Sequence, residues 1–545
     1  MKRALALIFL SGLVATALFA AREQPPAAAA GIAMVSVGGS HACAVTNAGA
    51  AKCWGFDSVG QLGGTAYGEC SSVGDSFPCA STPIDVAGLS SGVASISAGG
   101  SHTCAVTAAG AAVCWGHNDN GQLGDGTTTN RSTPVQVLGL TSGVTAIDAG
   151  FGHTCAYASN GLACWGSDRF GELGVVTQET CESNFECSTV PIDLTTGALS
   201  GFAVGDDHTC AITALDGSLR CWGGNAFGQL GNGTTNNVSG PGPVSPPLNQ
   251  NVAMVSAGRI HTCAVTDAGA VFCWGSDVNE QIGAVAPDTC ASTPCAMTPV
   301  AVVGLASGYT QVSAASRSTC ALNTGADIKC WGNNSLGQVG NGTNDTATTP
   351  VDICRVVLAI PDPACIASLL PAFASVSGGG DSACAMTTGA LLECWGWNEF
   401  GQLGNATMTD RNAPGAVFGL FTGTDADSDG CTTSEEQQTA IGSQLTGGRR
   451  DPKHHWDFFD TPAAPNARDK AVTAGDLARV VQRFGAVGVP NGNPLSTPPG
   501  SGYHTAFDRS SPQPGRDLWD LGPPDGSITV ADIAFAVVQF GHSCA

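Results

Sequence analysis

One phrase returns seven times along this 545-residue chain, and no other feature restricts its folding so tightly. In its first form it reads His41-Ala-Cys43-Ala-Val, then Cys53-Trp54-Gly55, then Gly60-Gln61-Leu62-Gly63. It recurs around Cys104/Cys114, Cys155/Cys164, Cys210/Cys221, Cys263/Cys273, Cys320/Cys330 and Cys384/Cys394, with Trp after each second cysteine. The period averages roughly 57 residues. Seven of the ten Trp residues occupy the same slot.

Each unit reads as four short strands. Val144–Ile147 leads into a Gly, Thr154–Tyr157 and Leu162–Trp165 flank the turn residues Ser159-Asn160-Gly161, and a fourth strand follows a Pro, as in Pro134-Val-Gln-Val137. The 74 Gly and a charged fraction of only 12% suit short strands and many turns. One such sheet cannot bury both faces, but radial stacking buries each sheet against the next. The expected fold is all-β, a seven-bladed β-propeller of four-stranded blades over residues 32–423. The pattern resembles the repeats of the regulator of chromosome condensation family, in a Cys-rich version. That resemblance implies the same propeller. Family members include a nuclear guanine-nucleotide exchange factor that binds chromatin and secreted bacterial propellers such as a β-lactamase inhibitor.

The flanking sequence reads differently. Lys2 and Arg3 precede an apolar run from Ala4 to Ala21, the order of a secretory signal. Residues 1–21 are therefore expected to be a signal peptide and 22–31 a linker. An uncleaved anchor is the alternative for a run of this length. The expected location is extracellular or at the cell surface, with no membrane segment after cleavage. A net charge of −23 repels phosphate backbones and argues against a nucleic-acid partner.

The cysteines point the same way. Placing Cys43 opposite Cys53 on a hairpin sets Val45 against Ala51, with Asn47-Ala48-Gly49 as the turn. The other repeat pairs fit the same geometry with turns one residue shorter or longer. Four further pairs, Cys70/Cys79, Cys181/Cys187, Cys290/Cys295 and Cys354/Cys365, fall in irregular stretches after the third strand. Cys431 and Cys544 remain as a last pair. All 24 cysteines can then form twelve bridges in an oxidising compartment. Buried free thiols are the alternative for individual hairpins.

Beyond Gly423 the composition changes, and residues 424–545 read as a small α-rich module. Asp425-Ala-Asp427-Ser-Asp429-Gly430-Cys431-Thr-Thr433-Ser-Glu435-Glu436 has the D-x-D-x-D-G-x₅-E spacing of a calcium loop. Asp425, Asp427 and Asp429 would converge on Ca²⁺, Cys431 would offer its carbonyl, Thr433 would act through water, and Glu436 would bind bidentately. Two related segments, starting at Val472 and Ile528, each resemble the end of such a loop followed by an amphipathic helix. Asp520, Asp525 and Asp532 are the candidate ligands before the second helix. The arrangement resembles EF-hand and dockerin-like modules, which attach secreted proteins to receptors.

No catalytic group stands out. His41, His102, His153, His208 and His261 share one strand position, where a brace between blades is the plainer reading; Ser318 and Ser382 replace them in the last two units. The expected function is that of a secreted, monomeric, non-enzymatic binding protein. Its propeller loops would recognise an extracellular protein or cell-wall glycan, and the Ca²⁺ module would serve for attachment. The Cys-closed loops of units one, three, five and six are the expected contact elements, because bridging lowers the ordering cost of binding. The alternative is a secreted hydrolase or lyase, for which Asp206-Asp207 is the one unusual acidic pair. Guanine-nucleotide exchange is the third reading.

Overall fold

The computed structural model describes residues 31–420, apart from short stretches at 66–67, 73–74, 178, 182–184, 195, 355–356, 359–363 and 366–371. Seven antiparallel sheets are built in chain order from residues 32–85, 93–136, 144–194, 199–243, 252–301, 309–352 and 373–416. Blade two shows the plan: Val93–Ala98 innermost, then His102–Thr107, Ala112–Gly116 and Arg131–Gln136. The described residues form an all-β, seven-bladed propeller of four-stranded blades.

Each second and third strand pair in the register that sets Cys opposite Cys. In blade one Cys43 faces Cys53 and Val45 faces Ala51. Proline lies within the outer strand rather than before it, as Pro134 does in Arg131–Gln136. This is the blade's edge, where no ladder partner needs the missing N–H. Blades one, three and five carry a fifth strand (Gly68–Ser72, Glu179–Thr180 and Asp288–Cys290) paired outside the fourth. The irregular stretches read from sequence are therefore hairpins in these blades.

The seven tryptophans are fully buried, each on the face its blade turns to the preceding one. Burial of an indole requires an acceptor for its N–H. Trp115 Nε1 donates to the carbonyl of Gln61, Trp165 to Gln122, Trp222 to Glu172 and Trp274 to Gln229, all at 2.9 Å. Trp331 and Trp395 find Gln281 and Gln338. Trp54 closes the circle on Gln402 of blade seven, 2.9 Å away. Its inner strand joins there too, with Val37 N donating to Ser377 Oγ and Ile32 N to Ala390 O.

The recurring histidines span the same seams. His41 Nε2 meets Thr103 Oγ1 of the next blade at 2.8 Å, and His102–Thr154, His153–Thr209, His208–Thr262 and His261–Thr319 repeat the contact at 2.8–2.9 Å. Each threonine hydroxyl donates in turn to the Gln or Glu carbonyl that serves the Trp. With that proton committed, the hydroxyl can only accept from histidine, so Nε2 carries the hydrogen. Nδ1 has no partner in any of the five. Burial pushes these imidazoles down to about 3 or 4, and they are neutral. Where the His slot holds Ser318 or Ser382, the facing Thr slot of the next blade holds Ala383 or Ala42.

Replacing Thr154 by Val keeps the shape but strands the His102 Nε2–H in a dry seam. The expected result is a loss of about 1–3 kcal/mol of unfolding free energy, read by urea denaturation at neutral pH.

Candidate functional site

The third strand of each blade ends level with the turn between the first and second strands, as the His41–Gly55 pairing shows. Seven such turns therefore ring one mouth of the central channel, a cavity of about 890 Å³. They approach closely. Gly39 N donates to Gly99 O at 3.0 Å, Gly100 to Gly150 at 2.9 Å, and Ser316 to Gly380 at 3.0 Å. A Cβ on Gly38 would fall 2.4 Å from Gly99 O, which is why this turn carries glycine. Between blades four, five and six the rungs lengthen to 3.3 Å (Asp206 N to Gly258 O) and 3.4 Å (Arg259 N to Ala315 O).

Just inside the mouth, inner-strand hydroxyls stitch neighbours together. Ser36 Oγ accepts from Ala98 N, Ser97 from Ala149 N, Ser256 from Ala314 N and Ser313 from Gly378 N. Blade three has Asp148 in this position, accepting from Val204 N at 2.8 Å and Ser97 Oγ at 2.9 Å. Burial lifts its carboxyl to about 6 despite those donors. Blade four has Ala203 there and offers no acceptor.

The charged groups of the mouth cluster on this looser side. Asp206 and Asp207 stand beside Arg259, whose Nε lies 3.6 Å from Asp206 Oδ2. Burial and the Asp207 charge raise Asp206 to about 7, with Arg259 opposing; burial raises Asp207 against Arg169 and Arg259. Arg169 lies over Phe170 and Phe185, 5.0 and 4.1 Å from their ring centroids. Glu172, the one departure from Gln in its slot, is 1% exposed. Its carboxyl is lifted to about 7 by burial against the hydrogen bonds it accepts, with Asp207 and Asp168 adding to the rise. Arg317 forks onto Asp381, with Nε 3.0 Å from Oδ1. At the seam of blades seven and one, Phe56, Phe77, Phe400 and Trp397 form a half-buried aromatic cluster, with Phe56 and Phe400 centroids 4.6 Å apart.

Among the residues singled out from the sequence, Asp206 and Asp207 fall at this mouth, whereas the five recurring histidines are buried in the seams. Arg259, Arg317 and Asp381 were missed, although their signal was present: the turn before the His slot is Gly-Gly-Ser in units one and two and charged in units four to seven.

The cysteines divide into two sets. The hairpin pairs Cys43–Cys53, Cys104–Cys114, Cys155–Cys164, Cys210–Cys221, Cys263–Cys273, Cys320–Cys330 and Cys384–Cys394 are bonded inside the blades, with Cα separations of 4.0–4.1 Å. Cys70–Cys79, Cys181–Cys187 and Cys290–Cys295 close the hairpins of blades one, three and five. Cys79, Cys187 and Cys295 each pair with the residue after the third strand's Trp-Gly, so all three hairpins project past the blade on the mouth side.

The Cys354/Cys365 pair departs from this pattern. Cys354 is disulfide-bonded, but it follows the outer strand Ala347–Asp352, at the opposite end of the ring. Cys365 ends the two-residue strand Ala364–Cys365, whose backbone pairs with Val357–Leu358 in a separate small sheet. The side chain of Cys365, and with it the expected Cys354–Cys365 bond, lies outside the described residues. The expectation that these two cysteines lie, like the other three pairs, in the irregular stretch after the third strand is corrected. Both belong to the connector from blade six to blade seven, because the strand-three loop of blade six is short and its outer strand is complete before Cys354.

The proposed calcium ligands Asp425, Asp427, Asp429, Cys431, Thr433, Glu436, Asp520, Asp525 and Asp532, together with Cys544, lie outside the described residues. Among the described residues no group of three or more His, Cys, Asp or Glu could hold a metal ion.

The family model for an RCC1-like domain matches residues 12–365. The chain belongs to the RCC1-like domain family. It is 28% identical over 330 residues to the ultraviolet-B receptor UVR8 of Arabidopsis thaliana, covering 58% of this chain and 68% of that one. The human E3 ubiquitin-protein ligase HERC2 is 26% identical over 375 residues, covering 67% of this chain but 7% of HERC2. For the mitochondrial RCC1 domain-containing protein RUG3 of A. thaliana the match is 28% identical and covers 46% of this chain and 55% of RUG3. The solved structure of human WBSCR16 superposes with a TM-score of 0.56 at 22% identity, covering 68% of this chain and 94% of that one. Yeast RCC1 (Prp20), solved with Kap60 bound, gives 0.54 at 21% identity, with 64% and 78% covered. These structural likenesses establish the RCC1-like fold; the chemistry of this ring's mouth is its own.

A buried carboxyl at about 7 binds its proton more tightly folded than unfolded, so its contribution to stability is lost as pH rises from about 4.5 to 7. Glu172→Gln restores the residue that the other six blades hold. The variant is expected to match the parent below pH 4.5 and to exceed it increasingly up to neutral pH, measured as the difference in Tm across a pH series.

Proposed function

We propose that this RCC1-like ring is an exported, non-catalytic binding protein that holds a protein partner on its channel-mouth face. The observation that carries this reading is the common direction of the three disulfide-closed hairpins of blades one, three and five. They surround a mouth lined with Asp206, Asp207, Arg259 and Asp381, the last paired with Arg317. Phe151, 61% exposed, stands among them. Bridged hairpins lose little freedom on binding, and exposed aromatic and Arg side chains are the groups that most often anchor a partner. Yeast RCC1 (Prp20) is seen with Kap60 bound, which supports a protein ligand here. The density of disulfides supports an oxidising, extracellular setting, consistent with the apolar N-terminal run. No reaction is assigned to the chain.

Capture from the native extracellular fluid tests it. Phe151→Ala combined with Asp206→Asn and Asp207→Asn should lower partner recovery at least tenfold. Leu215→Ser, at an exposed site on the opposite face, should leave recovery unchanged. Equal recovery from all three proteins would refute the assignment of the face.

We also propose that residues 424–545 bind Ca²⁺ through the 425–436 loop and serve for attachment. The support is the complete D-x-D-x-D-G-x₅-E spacing. Calorimetric titration of the full chain with Ca²⁺ should show a site whose affinity falls at least tenfold in Glu436→Gln, since the bidentate ligand is lost. An unchanged isotherm in that variant would refute it.

A further inference from the structure

The segments that follow the outer strands carry a repeated leucine. Leu89, Leu140, Leu248, Leu305 and Leu420 are each buried, at 0–9% exposure. Leu140 shows their role, packing with Val137, Val144 and Trp165 low in the seam between blades two and three. The connector from blade three to blade four is two residues shorter. Val137 to Val144 in the previous connector corresponds to Leu194 to Leu199 here, and Thr196-Gly197-Ala198 holds no leucine. The core of this seam, built on Leu162, Leu194, Ala211 and Trp222, lacks that side chain.

A cavity of about 380 Å³ stands in the gap. Leu199 and Pro241 make the accessible apolar wall with Ala211 and Trp222 buried behind them, while Thr196, Thr213 and Arg220 supply its polar edge. Arg220 is the second unusual feature. At the same strand position in blades one and six, Lys52 and Lys329 reach across to Asp85 and Asp352 at 2.8 and 2.7 Å. Arg220 instead faces Pro243 in the neighbouring strand. Among the described residues it has no ion pair, and it is exposed. A guanidinium without a carboxylate partner thus borders a cavity with apolar walls, at the end of the ring opposite the channel mouth.

We propose that this seam is a binding site for a small amphipathic carboxylate, with the apolar body against Leu199 and Pro241 and the carboxylate on Arg220. The volume lies at the lower end of the range for small-molecule pockets, about 300–1,000 Å³. An arginine fork matches a carboxylate better than it matches a neutral head group. The site is independent of the partner face, because its residues belong to blade four and to the connector that enters it from blade three, away from the channel mouth.

Octanoate is the probe, titrated calorimetrically into the full-length protein at low ionic strength. One saturable site is expected. Arg220→Gln should weaken it at least tenfold, and octanol should bind at least tenfold more weakly than octanoate. Thr196→Leu, which returns a leucine to the connector, should abolish binding while leaving the Tm unchanged or raised. Absence of octanoate binding, equal binding of octanol, or insensitivity to both substitutions would each overturn the assignment. Loss of binding in Thr196→Leu with a lowered Tm is resolved by Arg220→Gln, an exposed change that leaves the core intact.

Discussion

Seven times around the ring a buried indole N–H reaches a backbone carbonyl of the neighbouring blade. The carbonyl belongs to the Gly-Gln-Leu-Gly segment, which tucks into the seam so that Gly63 Cα approaches the Trp115 ring; a Cβ on that glycine would lie 2.6 Å from Nε1. In five seams the same oxygen also takes the threonine hydroxyl, which takes the histidine. A dry, low-dielectric seam makes each of these bonds costly to leave unmade. Blade spacing is therefore set by a polar contact inside an apolar interface, and the channel mouth inherits its geometry from it. A turn such as Gly205-Asp206-Asp207 can carry charge into the mouth because its position is already determined by His208 on Thr262 just below.

Much of this was legible in the chain. The spacing of Cys43 and Cys53 gave the hairpin register, and the Trp slot gave the number of blades. The histidine position read as a brace, and the contacts of His41 and its counterparts agree with a bond between blades. Its partner was harder to see, because the bond joins the His slot of one unit to the Thr slot of the next. Once the offset is known, the paired loss of both groups at Ser318/Ala383 and Ser382/Ala42 is plain in the sequence. The three projecting hairpins were visible only as irregular stretches, since strand pairing outside a fourth strand depends on which edge is free. Cys354 and Cys365 were placed with them because distance from the third strand does not reveal that the outer strand has already passed.

A further regularity follows the loops. Blades two, four, six and seven have Asn118, Asn225, Asn334 and Asn398 after the third strand, and each donates Nδ2 to carbonyls of its short loop. Blades one, three and five have Asp57, Asp168 and Asp277, with the Cys-closed hairpin in place of that loop. The acceptor half of the job, receiving the N–H of Leu62, Leu173 or Ile282, is kept. The donor half disappears with the carbonyls it served. Burial then holds Asp57 and Asp277 at about 6. The buried histidines favour the folded state less as pH falls below about 6.5, whereas these carboxyls favour it less as pH rises above about 4. The two sets therefore oppose each other across the same interval.

No blade is shared between the ends of the chain: residues 32–85 complete blade one and 373–416 complete blade seven. Among the described residues the circle is closed by contacts across the seam, among them Trp54 on Gln402, Val37 on Ser377 and Ile32 on Ala390. The two seams that lack the histidine–threonine contact are the ones flanking blade seven. Blade seven is held on those two sides by contacts of another kind, Arg317 on Asp381 and Gln311 on Val376 at one seam and Phe56 against Phe400 at the other. Two molecules could exchange the same sheet without breaking a single strand.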